Sequence, residues 1–191
     1  ESFASWMGDK AVDQLHPEWD MWTQFLTNDT MVALNLDGLA NSHPIEQKVG
    51  NPAEIGQLFD AISYSKGGSI LRMLEQFLGP DDFQKGLQIY LERHKYGNAR
   101  THDLWDALSQ ASAQPVAEIM DTWTTQTGYP VVEVSVTRGT TKAEVCLSQQ
   151  RFLYEDLLGH RNGGRELWKV PIGVRAASDP EPVRTLMHGR E

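Results

Sequence analysis

Phe59-Asp60-Ala61-Ile62-Ser63-Tyr64-Ser65-Lys66-Gly67-Gly68-Ser69-Ile70-Leu71-Arg72-Met73-Leu74 is the stretch whose reading decides the fold. Ile62, Ile70, Leu71 and Leu74, continued by Phe77 and Leu78, fall on helical spacing and predict a helix with one face against a core. Gly67 and Gly68 lie inside that helix, where each glycine costs roughly 1 kcal/mol relative to alanine. The pair therefore predicts close packing or the close approach of another backbone. Tyr64 sits near the helix start, and taken alone a tyrosine on an amphipathic helix is read as a packing residue.

Toward the N-terminus, Asn51-Pro52-Ala53-Glu54 predicts a helix start, with a capping asparagine, proline in the first turn and an acidic residue three positions on. That helix leads through Ile55, Leu58 and Phe59 into the stretch above. Farther back, Phe3, Met7, Ala11 and Leu15 recur every four positions and predict a helix from the first residue, with that stripe buried. Pro17 predicts the start of a second helix carrying Trp22, Phe25, Leu26, Val32, Ala33 and Leu36, weakened at Asp37-Gly38 and ended by the loop 41–44. Toward the C-terminus, Gly79-Pro80 stops the central helix. Further helices are predicted with stripes Phe83, Leu87, Tyr90, Leu91, then Leu104, Trp105, Leu108, Ala111, then Val116, Ile119, Met120, Trp123. After Gly128-Tyr129-Pro130 the period changes to two. Val132, Val134 and Val136 alternate with polar residues, Arg138-Gly139-Thr140 predicts a hairpin turn into 143–147, and another strand is expected at 167–174, with 155–165 as a loop. The fold class predicted is α+β, helical over 1–128 and β over 129–191. The three or four strands cannot close a sandwich or barrel by themselves, so an unpaired sheet edge is expected.

The 191 residues, 40% hydrophobic and 23% charged, describe a folded globular chain. A net charge of -9 with no basic run argues against a nucleic-acid partner. The single cysteine, Cys146, allows no intrachain disulfide, and nothing points to an oxidising compartment. No apolar run approaches the ~20 residues of a membrane span. A cytoplasmic location is expected, with a membrane-anchored or secreted parent protein left open. Glu1 is not a methionine and helical patterning follows it at once, so the numbering is expected to begin inside a larger protein.

No two of the six histidines are three or four positions apart, so no helix offers a paired-histidine ligand set. No glycine-rich phosphate loop follows a strand, and no serine sits in a G-x-S-x-G elbow. Four segments, however, carry a resemblance. Glu1-Ser2-Phe3-Ala4-Ser5-Trp6 resembles a segment reading N-E-G-F-A-x-[WY], Asp60 to Gly67 resembles a tyrosine motif, Trp123 to Val132 resembles the end of a catalytic domain, and Gln150-Arg151-Phe152 with Trp168 to Ile172 resembles the β-domain that adjoins it. In this order they are similar to the zinc aminopeptidases of the aminopeptidase N type, among the gluzincin metallopeptidases. Ser2 departs from the glycine usual there.

The resemblance implies the C-terminal helical part of a thermolysin-like catalytic domain followed by the start of an antiparallel β-sandwich domain. It implies removal of N-terminal residues from peptides by metal-activated water attack. Glu1 matches the third zinc ligand, whose histidine partners lie in that family on an H-E-x-x-H helix 18 residues earlier. Tyr64 matches the tyrosine whose phenol donates to the oxyanion of the tetrahedral intermediate. The histidine pair, the general-base glutamate and the G-x-M-E-N loop for the substrate amino group are not among these residues. The implied partners are a peptide with a free N-terminus and the missing N-terminal part of the same protein. The implied cofactor is one zinc ion in the intact enzyme, not retained by this chain alone, which is expected to be inactive. Lys66 and Gly67 are read as structural. Two alternatives stand beside this reading: a non-catalytic helical peptide-binding or scaffold module related to the family, and a bifunctional hydrolase of the leukotriene-processing kind. The valine alternation after Pro130 argues against the second.

Overall fold

The computed structural model describes residues 1–140, 142–159, 164–175 and 181–191. Helix α1 (Ser2–Leu15) is followed by a 3-10 turn (Pro17–Trp19), then α2 (Met21–Phe25), a π-turn (Leu26–Thr30) and α3 (Met31–Asp37). A second 3-10 segment (Pro52–Leu58) leads to a π-turn (Ile62–Lys66) that runs straight into α4 (Gly67–Leu78). Then come α5 (Pro80–His94), α6 (Thr101–Ser112) and α7 (Val116–Thr124). The remainder is β1 (Pro130–Arg138), β2 (Ala143–Arg151), the single turn α8 (Tyr154–Leu157), β3 (Val170–Val174) and β4 (Val183–Met187). The fold is therefore α+β, with two antiparallel two-stranded sheets, β1-β2 and β3-β4, among the described residues. No helix among them is long and apolar enough to cross a membrane.

One core joins both halves. Ile70, Leu71, Leu74 and Leu78 of α4 pack with Trp6, Phe83, Trp105, Leu108, Ile119 and Met120, and with Trp168, Val170 and Met187 from the β region. The predicted stripe of α4 is thus the one observed. The glycine pair also has the predicted cause: a Cβ on Gly67 would stand 2.0 Å from Ser2 Oγ, and one on Gly68 3.3 Å from the Phe25 ring. Only a bare backbone lets α1 lie this close to α4.

Several expectations are corrected. In α1 the interior position is Trp6, flanked by Phe3 and tilted against Phe83 with ring centroids 5.2 Å apart, while Met7, Ala11 and Leu15 are exposed. The large indole claims the close approach to α4, and the buried face rotates to follow it. The helix expected from Pro17 is interrupted at Asp20, whose φ of 48° is left-handed, and its stripe is buried only at Phe25 and Ala33. Asn51 caps its turn as predicted, accepting from Ala53 N, but the segment is a 3-10 helix whose Ile55 and Phe59 remain exposed, so no packed face extends it into an α-helix. The hairpin turn is where it was expected, Gly139 N donating to Lys142 O, and its second strand continues to Arg151, paired with Pro130. The strand expected at 167–174 starts at Val170, because Trp168 N is taken by the Gln149 side chain. Of the loop expected at 155–165, the first residues form α8, and 160–163 lie outside the described residues.

Candidate functional site

Two helices meet at the open end of this core. Glu1 occupies the N-cap position of α1 and is exposed, and its side chain accepts no capping hydrogen bond. Tyr64 sits in the middle of the π-turn that precedes α4. Such widened turns rotate a side chain out of the helical register and are frequent at functional sites. The turn is fixed on several sides. Asp60 Oδ1 accepts from Ile62 N and Ser63 N, each at 3.0 Å, and Asp60 O accepts from Tyr64 N at 3.0 Å. Ser2 Oγ donates to Ser63 O, and Ser65 Oγ donates to Asp29 Oδ1 at 2.8 Å. Lys66, whose side chain is 5% exposed, places Nζ 2.8 Å from Asp37 Oδ2.

Although 63 positions apart in sequence, Glu1 and Tyr64 are neighbours. The Tyr64 phenol is pushed above the usual tyrosine value, first by desolvation, then by its hydrogen bond to the Glu1 carboxylate and that carboxylate's charge. Ser2 brings this about. Its hydroxyl ties the first turn of α1 to the tyrosine turn, and Gly67 leaves the space it needs. The serine at position 2 is thus accommodated by a direct contact, which the sequence reading did not anticipate. Glu1 also borders a cleft of about 380 Å³ lined by Phe3, Ile45, Leu71, Tyr90, Arg100 and Met120. A larger concavity, about 840 Å³, lies between the strands beside Cys146 and His188, away from both residues.

The tyrosine turn has a further support on its solvent edge. His43 Nε2 stands 2.6 Å from Asp60 Oδ2, so the histidine holds the carboxylate that caps the turn. Burial alone would lower the His43 pKa, but its hydrogen bond to Pro44 O and the hydrogen bond and charge of Asp60 prevail, and it is raised. Asp60 responds in the opposite sense: burial would raise it, and hydrogen bonds from Ser63 and His43 hold it below the usual carboxylate value. Neither residue was singled out from the sequence, and the only signal was an aspartate four positions before Tyr64, at a helix N-cap.

Among the described residues no group of three or more His, Cys, Asp or Glu side chains is placed to hold a metal ion. Glu1 is a single accessible carboxylate, without a side-chain capping bond.

Residues 1–123 match the Peptidase family M1 domain. The chain is 48% identical over 172 residues, 90% of its length, to probable aminopeptidase 2 of Sulfurisphaera tokodaii, and 47% identical over 178 residues, 93% of its length, to aminopeptidase M1 of Arabidopsis thaliana. It is also 48% identical over 153 residues, 80% of its length, to the alanine/arginine aminopeptidase of Saccharomyces cerevisiae. The matched regions are 21%, 19% and 17% of those three relatives, so the chain spans about a fifth of their length. With a match over well more than half its residues and this level of identity, the chain belongs to peptidase family M1, among its aminopeptidase N-type members.

Proposed function

We propose that the protein containing this chain is a zinc aminopeptidase, with Glu1 as one metal ligand and Tyr64 as the oxyanion donor. The observation that carries this reading is the tie of Ser2 Oγ to Ser63 O, which brings the adjoining residues Glu1 and Tyr64 together, with Glu1 at the border of an accessible cleft. The donor chemistry fits zinc: a carboxylate oxygen is one of the ligand types it takes, and Glu1 has no side-chain capping bond to give up. A catalytic site needs about three protein ligands, of which this chain supplies one. The other two are assigned to the histidines of the H-E-x-x-H helix that the resemblance implies. On this reading the 191 residues by themselves bind no stoichiometric zinc and hydrolyse nothing. When bound, zinc supplies the Lewis acidity that yields a nucleophilic water near neutral pH.

This chain's own residues do two things. Glu1 contributes a single negative charge, which leaves the site net positive. Tyr64 brings a phenol O–H, which donates when negative charge develops on the scissile carbonyl oxygen. The helical part, 1–128, is assigned to the end of a thermolysin-like catalytic domain and 129–191 to the beginning of a β-sandwich domain. The substrate class is a peptide with a free N-terminus, in line with the aminopeptidase names of the relatives.

Tyr64→Phe in the full-length protein tests the assignment. Removing an oxyanion donor is expected to lower kcat roughly 10²-fold or more, with KM and zinc content nearly unchanged. A fall carried by KM alone would indicate lost uniform binding. An unaltered kcat in a folded, zinc-loaded variant would end the catalytic role of Tyr64.

A further inference from the structure

Ile62, Lys66, Ile70, Leu74 and Leu78 lie on one buried stripe at four-residue spacing, and Lys66 is the sole ion in it. Its partner is Asp37, fully buried at the end of α3. The ammonium donates to Gly128 O at 3.0 Å, while Asp37 Oδ1 accepts from Gly128 N at 2.9 Å and from Ser42 Oγ at 2.8 Å. The pair thus holds both polar groups of the Gly128 residue, at the junction where the helices give way to β1. Gly128 has φ +89°, and a Cβ there would stand 2.6 Å from Arg151 Nε, so only glycine takes this conformation beside Arg151. Desolvation lowers the Lys66 pKa, and the Asp37 charge opposes that shift.

Attraction between the two charges does not by itself explain the pair, since replacing a buried ion pair by well-packed apolar residues is often neutral or stabilising; here the pair also satisfies the Gly128 peptide groups. Its geometry adds a further reason. Lys66 is two positions beyond Tyr64, which on a helical turn points the two side chains to nearly opposite sides. Tyr64 faces Glu1 and the open side, whereas Lys66 is anchored in the interior. An anchor diametrically opposite the phenol fixes the rotation of the π-turn about its axis, and rotation is the motion that would swing the hydroxyl away from its target.

We propose that Lys66, held by Asp37 and the Gly128 peptide, is a positioning residue for the Tyr64 phenol, coupling the α–β junction to the site. This rests on the catalytic role proposed for Tyr64. The test measures kcat and KM on an aminoacyl 4-nitroanilide with the zinc-loaded full-length protein. The variants are Lys66→Met/Asp37→Leu, Asp37→Asn and Tyr64→Phe, and each of the first two combined with Tyr64→Phe. The double replacement removes both charges together with the partners of Gly128 N and O and of Ser42 Oγ, so it is expected to melt below the parent temperature and, read where it is folded, to lower kcat by roughly 10-fold to 10²-fold, the scale of a misplaced catalytic group. KM is expected to stay within about twofold. In the Tyr64→Phe background the same replacement is expected to change kcat by less than about twofold, because groups acting through one another are not additive. Asp37→Asn keeps the acceptor for Gly128 N and the volume but leaves the buried Lys66 ammonium without its counter-charge, so it is expected to lower the melting temperature; its kcat, read at a temperature where circular dichroism shows it folded, is expected to fall in the same selective way.

A lowered kcat for Tyr64→Phe with unaltered kcat in the Lys66 and Asp37 variants overturns this inference alone. So does a loss that persists undiminished in the Tyr64→Phe background. An unaltered kcat for Tyr64→Phe overturns the catalytic assignment and this inference with it.

Discussion

The turn around Tyr64 and the hairpin β1-β2 are both short, but they differ in how completely they are held. Every residue from Ile62 to Lys66 has a backbone or side-chain tie to another segment or to its own cap, and the glycines behind it are pressed against α1 and Phe25. In the hairpin, Val132 reaches the core, but Val134 and Val136 run past it and are 57% and 54% exposed. Periodicity reports that one region is helical and the other extended, without the π-turn inside the first. It does not report whether a face finds a partner. The sharpest way to break this contrast is to truncate one side chain in each region. Trp6→Ala, which empties a fully buried position of the helical core, is expected to cost about 3–5 kcal/mol. Val134→Thr is expected to change stability by no more than about 0.5 kcal/mol. Chemical denaturation of the full-length protein measures both, and comparable losses would show that the hairpin face is packed as tightly as the helical core.

A smaller effect concerns the contact between α1 and α4. Alanine at position 67 gains about 1 kcal/mol of helix propensity, yet its Cβ would stand 2.0 Å from Ser2 Oγ and 2.6 Å from Ser2 Cβ. Overpacking of this kind costs about 1–3 kcal/mol. Gly67→Ala is therefore expected to be destabilising on balance, and Ser2→Gly to rescue it, because the next atom, Ser2 Cα, is 3.9 Å away. If Gly67→Ala proves stabilising by itself, the close approach of α1 is not what requires glycine here.

The central helix was legible because its apolar residues keep strict helical spacing over more than four turns, and its glycine pair signalled close contact before any partner was known. The face of α1 was misread because a four-residue spacing of medium-sized side chains was weighed above one tryptophan, whose burial decides the rotation. The π-turns were not legible at all, since one extra residue per turn leaves no compositional mark. Of the candidate site, Glu1 and Tyr64 were found only through the resemblance. Asp37 and Lys66 were within reach by physics: each occupies an apolar stripe, four positions after Ala33 and Ile62 respectively. A charge on a buried stripe is evidence of a partner, and the two could have been paired on that ground. His43 and Asp60, on a partly wet surface, left no such mark.

Those last two residues give the smallest and most specific test, because they hold the opposite edge of the same turn from Lys66 and do so in contact with solvent. His43, raised above its ordinary value, contributes stability that is fully present below its unfolded pKa of about 6.5 and is lost as pH rises through its folded value. Asp60, lowered, contributes stability present above about 3.9 and lost as pH falls through its folded value. The pair is therefore fully effective only between these limits, and Asp37, the other charge acting on His43, changes the size of the effect without reversing it. His43→Ala is expected to destabilise the protein more at pH 5.5 than at pH 9, because the contribution of the charged imidazole fades as pH rises through its raised folded value. The difference should shrink with added salt, since both side chains are about one-third exposed. Urea denaturation of parent and variant at the two pH values measures it. An equal loss at both would mean that His43 supports the Asp60 cap by shape and a neutral hydrogen bond, with its charge contributing nothing to the tyrosine turn.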